Sequence, residues 1–364
     1  METKHEILFG NAQTMNLDDG SVDMVVTSPP YPMIEMWDEQ FSNMNSEIAE
    51  ALNNSKGSLA FELMHQELDA IWQELFRVLK QGGIACINIG DATRKVGDDF
   101  QLYSNHARIV NALVDIGFSN MPNILWRKQT NAPNKFMGSG MMPPSAYITL
   151  EHEYVLVFRK GEKRSFSSDE KSLRRESAYF WEERNKWFSD LWEFKGILQN
   201  LADESIRERS GAFPFELPYR LINMFSIKKD TVLDPFLGTG TTSLAALCAG
   251  RNSIGYEVEE GFSEAIFSLL NSDSINMLND RIRKRILDHK EFVKARINEK
   301  EEDSFSYKNE HYDFPVTTKQ EKPLLLNYLK AIEPESENTI RGKYFDQAML
   351  DYPKKGTLFA EIEY

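Results

Sequence analysis

The chain predicts an α/β fold built on a mostly parallel sheet, and three observations predict it. Short runs rich in β-branched and apolar residues alternate with longer segments whose apolar positions recur at helical spacing. Glycines stand where one kind of segment gives way to the other. Two of the strand-like runs lead straight into patterned loops, the place where open α/β sheets bind ligands. With 364 residues, there is material for one large domain with insertions or for two domains.

In chain order, His5-Glu6-Ile7-Leu8-Phe9 reads as a first strand, ended by Gly10-Asn11-Ala12. Val22-Asp23-Met24-Val25-Val26 reads as a buried strand, which Pro29 and Pro30 must end because proline cannot donate to a ladder. The stretch from Pro32 to Ala60 has little periodicity and reads as a lid or contacting arm, with Trp37 a packing anchor in preference to a stacking residue. From Met64 to Lys80 the positions Met64, Leu68, Ile71, Trp72, Leu75, Phe76 and Leu79 predict a helix, with Gln81-Gly82-Gly83 as its glycine cap. Strand Ile84–Ile89, helix Tyr103–Ile116 and strand Asn123–Arg127 repeat the alternation, which implies right-handed crossovers. Gln129 to Tyr147 reads as a long loop and Glu153–Phe158 as a strand pairing antiparallel at an edge, so that the two strands form a hairpin with a long tip.

Composition then changes. Arg159, Lys160, Lys163, Arg164, Lys171, Arg174 and Arg175 gather before Tyr179, Phe180, Trp181, Trp187 and Phe188. Basic residues beside aromatics suit nucleic-acid contact, and a solvated loop followed by an aromatic subcore is the alternative. A helix from Glu216 to Phe225, a strand Thr231–Phe236, a helix Ser243–Ala249 and a strand Ser253–Glu257 follow. Arg281, Arg283, Lys284, Arg285 and Lys290 lie on a long predicted helix, while the acidic segment from Glu301 to Tyr364 has no clear pattern.

The formal charge of −14 argues against a chain that coats a polyanion, although basic patches can be local. No apolar run approaches membrane-span length and the start lacks a signal-peptide pattern, so a cytoplasmic protein with no membrane partner is expected. Cys86 and Cys248 have no partners at metal-ligand spacing, and no metal is expected.

The corner Ser28-Pro29-Pro30-Tyr31 carries the first chemistry. A planar exocyclic amine is a weak nucleophile until acceptors take its hydrogens. The Ser28 hydroxyl and Pro29 carbonyl could be those acceptors, with Pro30 fixing the backbone and Tyr31 offering a stacking face. This tetrapeptide resembles the catalytic motif of the DNA amino-methyltransferases, whose form is Asp, Asn or Ser, then Pro-Pro, then an aromatic. Neither cysteine stands in the Pro-Cys pair of the cytosine carbon-5 enzymes.

The second anchor is Asp234-Pro235-Phe236-Leu237-Gly238-Thr239-Gly240-Thr241, between a strand and a helix. Its glycines would let a ligand approach the backbone closely, yet it lacks the lysine of a phosphate loop and the third glycine of a dinucleotide fingerprint. It resembles the S-adenosylmethionine loop of the same methyltransferases. The resemblance implies that Asp234 and the backbone from Phe236 through Gly238 and Thr239 to Gly240 and Thr241 hold the methionine portion of that cofactor. It further implies that Glu257 accepts from both ribose hydroxyls, that Phe213 and Pro214 cover the cofactor, and that Asn11 reads the adenine through its amide oxygen where the family usually has Asp.

With the amine corner ahead of the cofactor loop, the order resembles the permuted class called beta. That class implies a Rossmann-like S-adenosylmethionine-dependent methyltransferase fold: a mostly parallel seven-stranded sheet with an antiparallel hairpin edge and an inserted DNA-recognition region. The expected layout is a catalytic half over 1–158, a target-recognition insertion over 159–208, a cofactor-binding half over 209–272 and a helical extension over 273–364. Lys163, Arg164, Arg174 and Arg175 are the expected DNA contacts. Implied partners are double-stranded DNA, with a cognate restriction endonuclease and a homodimer left open, in a bacterial or archaeal cell. The implied reaction moves a methyl group to an exocyclic amine on a flipped-out base. Ser at the first position resembles the cytosine-N4 members; adenine N6 is the alternative. A non-catalytic module that holds cofactor and nucleic acid, and an enzyme acting on RNA or protein, are readings of other classes.

Overall fold

The computed structural model describes residues 1–128, 137–138, 141–195, 213–300 and 305–353. Eleven strands among these form one mixed sheet: β1 (Glu2–Phe9), β2 (Val22–Thr27), β3 (Leu79–Ile89), β4 (Phe118–Asn120), β5 (Ile124–Arg127), β6 (His152–Lys160), β7 (Leu191–Glu193), β8 (Thr231–Asp234), β9 (Asn252–Glu257), β10 (Leu329–Ser336) and β11 (Thr339–Tyr344). The order is β7-β5-β6-β3-β2-β8-β9-β1-β11-β10, with β4 also on β6. Its centre, β3-β2-β8-β9-β1, is parallel throughout. β5 and β6 form the expected antiparallel hairpin, with Leu125 opposite Tyr154.

Helices flank both faces: α1 (Asp38–Met44), α2 (Ser46–Asn53), α3 (Gly57–Val78), α4 (Asn105–Ile116), α5 (Ser168–Glu176), α6 (Trp181–Trp187), α7 (Glu216–Phe225), α8 (Thr241–Ala249), α9 (Ser263–Leu269) and α10 (Ile275–Lys300). Adjacent residues of a strand point to opposite faces. Val25, Ala85 and Ile87 therefore pack with Leu68, Ile71 and Trp72 of α3, while Met24, Val26 and Cys86 join the layer of Leu221, Leu247 and Ile282 from α7, α8 and α10. Both cysteines are buried and free. No helix among the described residues is long and apolar enough to cross a membrane.

Five expectations need correction. The stretch 32–60 is ordered as α1, α2 and the start of α3. Asn45 caps α2 by accepting from the Glu47 amide, and Phe41, Ile48 and Ala51 are buried; helices this short give too few turns for a period to register. Gln81-Gly82-Gly83 does not cap α3 but lies inside β3, where the register against β2 jumps from Val22↔Leu79 to Met24↔Ile84. Gly82 is at φ +79°, and a Cβ there would collide with the Arg164 backbone nitrogen, so the position serves close passage of two chain segments.

The sheet has eleven strands and not seven, and the segment after 273 is helical only in part. β11 adds antiparallel to β1, His5 facing Ile340, and β10 follows, so the tail extends the sheet beyond the edge that β1 would otherwise expose. Finally, the described part of 159–208 is built onto the main sheet, β7 pairing parallel to β5. Its aromatics form a subcore with the tail: Phe180 stacks on His289 at 4.1 Å, and the Arg285 guanidinium lies 5.1 Å from the Trp187 ring while pairing with Glu183 at 2.6 Å. Glu182, His289 and Glu321 come together here. Burial opposes protonation of His289, but the Glu182 carboxylate and Pro315 carbonyl, each 2.9 Å from a ring nitrogen, hold its pKa above the ordinary value.

Candidate active site

β2 and β8 are neighbours, with Met24 opposite Val232 and Val25 opposite Leu233, and both run in the same direction. Their carboxyl ends therefore open side by side, which brings together loops about two hundred positions apart in the chain. Asp234 fastens the ends. One carboxylate oxygen accepts from the Thr27 hydroxyl at 2.6 Å and the Phe236 amide at 3.1 Å, and the other from the Thr242 hydroxyl at 2.6 Å. Burial pushes this carboxyl up to about 6 although all three bonds pull the other way. Asp234 thus holds the rim of the site together, more than the ligand-holding role expected of it requires.

Above this rim lies a cavity of about 540 Å³. All four corner residues, Ser28 to Tyr31, line it, as do Asn11, Phe213, Asp234, Phe236, Gly238, Thr239, Thr241 and Glu257. Pro214 and Gly240 stand behind the wall: the Pro214 carbonyl accepts from the Leu217 amide at the start of α7, and Gly240, at φ +89°, precedes α8. Trp37, Gln40, Phe41 and Met44 of the α1 region roof the cavity, and Leu68 and Ile71 of α3 close one side. Trp37 is partly buried against the core as well, so anchor and lining are one role.

The glycine loop leaves room where a ligand needs it. Gly238, at φ +54°, has no heavy atom within 4 Å of where a Cβ would stand. The Glu257 carboxylate accepts from the Gly238 amide at 2.8 Å and the Glu259 amide at 2.9 Å, and burial raises its pKa to about 7. The Gly10 amide donates to the Glu257 carbonyl at 2.8 Å, which seats the Gly10-Asn11 turn beside it. The Asn11 amide oxygen already accepts from the Gln13 backbone at 2.9 Å, so its expected duty toward an adenine shares that atom.

Charge around the cavity is one-sided. Among the described residues the lining holds the carboxylates of Glu39, Glu153, Asp234, Glu257 and Glu259 against the single cation Lys128. A ligand that seats a phosphate inside the cavity would be repelled. A cationic sulfonium carrying a ribose diol and an apolar-faced adenine fits, with Glu257 for the diol and Phe213, Phe236 and Phe262 for the base.

Three residues at the corner escaped the sequence reading. Tyr31 Oη lies 3.2 Å from Ser28 Oγ, 3.0 Å from Glu153 Oε2 and 2.8 Å from Asn88 Nδ2, and Lys128 Nζ pairs with the other Glu153 oxygen. Burial, then the Glu153 charge, holds the Tyr31 phenol well above its usual pKa. A signal existed: Asn88 interrupts an apolar run and Glu153 heads one, and a polar residue in such a run is the informative exception.

The expected DNA contacts lie elsewhere. Arg164 pairs with Asp230 at 2.7 Å and Glu170 at 2.9 Å and sits 3.5 Å from Asp23, at the amino ends of β8 and β2. Arg174 lies 4.5 Å over the Phe166 ring on the same edge, and Lys163 and Arg175 are exposed there. The length of β2, about 17 Å at ~3.3 Å per residue, separates that edge from Ser28. Arg164 is held in place by these acids, and Lys163, Arg174 and Arg175 lie beside it on that edge.

The sequence profile of a family described as DNA methylase matches residues 22–268. The chain is 51% identical over 350 residues to the type II methyltransferase M.MthZI of Methanothermobacter thermautotrophicus, covering 95% of each. It is also 51% identical over 276 residues to the type II methyltransferase M.MjaI of Methanocaldococcus jannaschii, covering 72% of this chain and 90% of the relative. Among solved structures, TTHA0409 of Thermus thermophilus in complex with S-adenosyl-L-methionine aligns with a TM-score of 0.53 at 29% identity, covering 72% of this chain and 96% of that one. PvuII DNA methyltransferase (cytosine-N4-specific) shares the fold at a TM-score of 0.50 and 18% identity, covering 76% of this chain and 92% of its own.

Proposed function

This chain belongs to the DNA methylase family of N6/N4 amino-methyltransferases, and from that premise we propose that it methylates the exocyclic N4 amine of cytosine in duplex DNA, with S-adenosyl-L-methionine as donor. The observation that carries the reading is the pairing of β2 with β8, which opens the amine corner and the glycine loop onto one cavity. When bound, the cofactor supplies an electrophilic methyl group on sulfur.

The chain's own residues do the rest. Glu257 would hold the ribose diol, the Gly238 backbone would lie against the methionine portion, and Phe213 and Phe236 would exclude water from the adenine. Ser28 Oγ and the Pro29 carbonyl would accept the two amine hydrogens, which turns the nitrogen lone pair out of the ring plane toward the methyl group. Positioning supplies most of the acceleration, because a direct displacement needs approach to about 3–3.5 Å and alignment. A paired base cannot reach this recessed corner, so the nucleotide leaves the stack and Tyr31 provides its resting face.

Cytosine N4 is favoured over adenine N6 by the serine at the first motif position. A type II restriction–modification role, with a cognate endonuclease as partner, agrees with the names of the two relatives above. The test is nucleoside mass spectrometry of unmethylated DNA incubated with protein and cofactor: N4-methylcytosine is expected, and N6-methyladenine alone would overturn the base assignment. In parallel, 2-aminopurine at or beside the modified position should brighten on binding.

Cofactor affinity should depend on pH through Glu257. Its pKa of about 7 in the free protein lies above the usual carboxylate value, and the diol needs the charged form. Binding below pH 7 must therefore release a proton, and affinity should fall as pH drops, by up to tenfold per unit. Calorimetric titration with S-adenosylmethionine from pH 8 to pH 6 checks this; Glu257→Gln should bind more weakly at pH 8 and lose the dependence. An unchanged slope in that variant would assign the titration to another group.

A further inference from the structure

We propose that Glu153 and Asn88 set the polarity of the catalytic serine and that the proton freed by methylation leaves along Ser28, Tyr31 and Glu153. The inference rests on the amine-methylation reading above and concerns residues outside its motifs.

A serine hydroxyl can donate or accept, and the amine-gripping role requires that it accept. The surroundings decide the matter. Asn88 Nδ2 can only donate, and it points at both Tyr31 Oη, 2.8 Å away, and Glu153 Oε2, 2.7 Å away. The Glu153 carboxylate, paired with Lys128 through its other oxygen, can only accept. Tyr31 has one hydrogen, and with Glu153 Oε2 at 3.0 Å it must be given there. What remains on the Tyr31 oxygen is acceptor capacity, and Ser28 Oγ donates to it at 3.2 Å. The Ser28 hydrogen is thus committed to Tyr31 Oη, and the serine lone pairs are left for the amine.

Asn88 carries a sign of this duty. Its Oδ1 is buried with no partner among the described residues, so the amide is held in the orientation that serves Tyr31 and Glu153 at the expense of its own second end. The network also lies level with the corner for a topological reason: β6 runs antiparallel to β3, with Tyr154 opposite Ile89, which brings Glu153 to the carboxyl edge where β2 delivers Ser28.

The same chain of bonds conducts a proton in one direction. After transfer the alkylated nitrogen is cationic, and its N–H bond breaks as Ser28 Oγ takes the proton. The Ser28 hydrogen passes to Tyr31 Oη and the Tyr31 hydrogen to Glu153 Oε2, leaving a neutral methylated amine, restored hydroxyls and a Glu153 carboxylic acid. Lys128, whose side chain is 39% exposed, places the loaded Glu153 next to solvent, where the proton is lost. Glu153 and Asn88 are positioning residues, acting on the substrate through Ser28 and Tyr31.

The test is a set of four variants, Glu153→Gln, Tyr31→Phe, their double and Ser28→Ala, with single-turnover methyl incorporation into unmethylated genomic DNA as the rate. Cofactor affinity, DNA affinity and melting temperature are measured alongside. Next to Lys128, a Gln at 153 turns its oxygen to the ammonium and its NH2 to Tyr31, which reverses the polarity of the chain; Phe at 31 keeps the ring and cuts the chain. Each single variant should lose about 10²-fold in rate, with affinities within threefold. The double variant should be no more than threefold slower than the worse single, because both cut one unit. Should Glu153→Gln fail to fold, Tyr31→Phe carries the comparison. Single variants within threefold of the unchanged chain while Ser28→Ala is inactive would overturn the relay and leave the amine reading standing. Multiplying losses in the double would show two independent effects and also overturn it. Activity in Ser28→Ala would remove the amine reading and this proposal together.

Discussion

Ser28→Ala should lower single-turnover methyl transfer to DNA by about 10²–10³-fold, the usual loss when one preorganised hydrogen-bonding group is removed from a reacting centre. The side chain reaches Tyr31 Oη and lines the cavity, but the rim is fastened by hydrogen bonds of Thr27 and Thr242 to Asp234, in which the Ser28 hydroxyl takes no part. Loss of one partly exposed hydroxyl should therefore change stability by less than about 1 kcal/mol, and S-adenosylmethionine affinity by less than threefold. The separation is the informative part: calorimetry unchanged, transfer gone. A variant that transfers at the ordinary rate would place the amine elsewhere in the cavity.

Gly238→Val should do the reverse, reducing cofactor affinity at least 100-fold while the protein still folds. At φ +54° a side chain costs about 1–2 kcal/mol of backbone strain, a drop of a few degrees in melting temperature for a chain this long. No protein atom lies within 4 Å of the added Cβ, so the branched side chain projects into open cavity and not into the core. Gly238→Ala puts a Cβ at the same left-handed φ with only one methyl group, and comparing melting temperatures gauges the further strain that β-branching adds in Val. Graded loss, small in Ala and large in Val, identifies filled ligand space. Equal loss in both would identify strain, and affinity within threefold in Val would take the cofactor away from this loop.

Much of the fold was legible because its signals are local. Strand β2 and the Ile84–Ile89 part of β3 are largely apolar runs buried on both faces, and such runs stand out whatever surrounds them. Helices α4 and α7 likewise fall within a residue or two of their predicted bounds. The errors came where geometry depends on a distant segment. Gly82 looks like a helix cap until the Arg164 backbone is seen to cross it. Arg164 looks like a phosphate contact until Asp230 and Asp23 are found beside it. Composition reports the number of charges in a stretch and not the partners that neutralise them.

By itself, the sequence determined the chemistry on offer. The Ser28 corner and the Gly238 loop are each made by five or so consecutive residues whose backbone restraints, two prolines in one and two glycines in the other, act within the segment. Tertiary structure alone decided what those loops could do together. Parallel pairing of β2 with β8 set them side by side, and the antiparallel return of β6 supplied Glu153 to the Tyr31 hydroxyl beside the serine. Contacts of that kind are fixed by strand order and direction, which arise from burying both faces of the whole sheet at once, and no local pattern of residues encodes them.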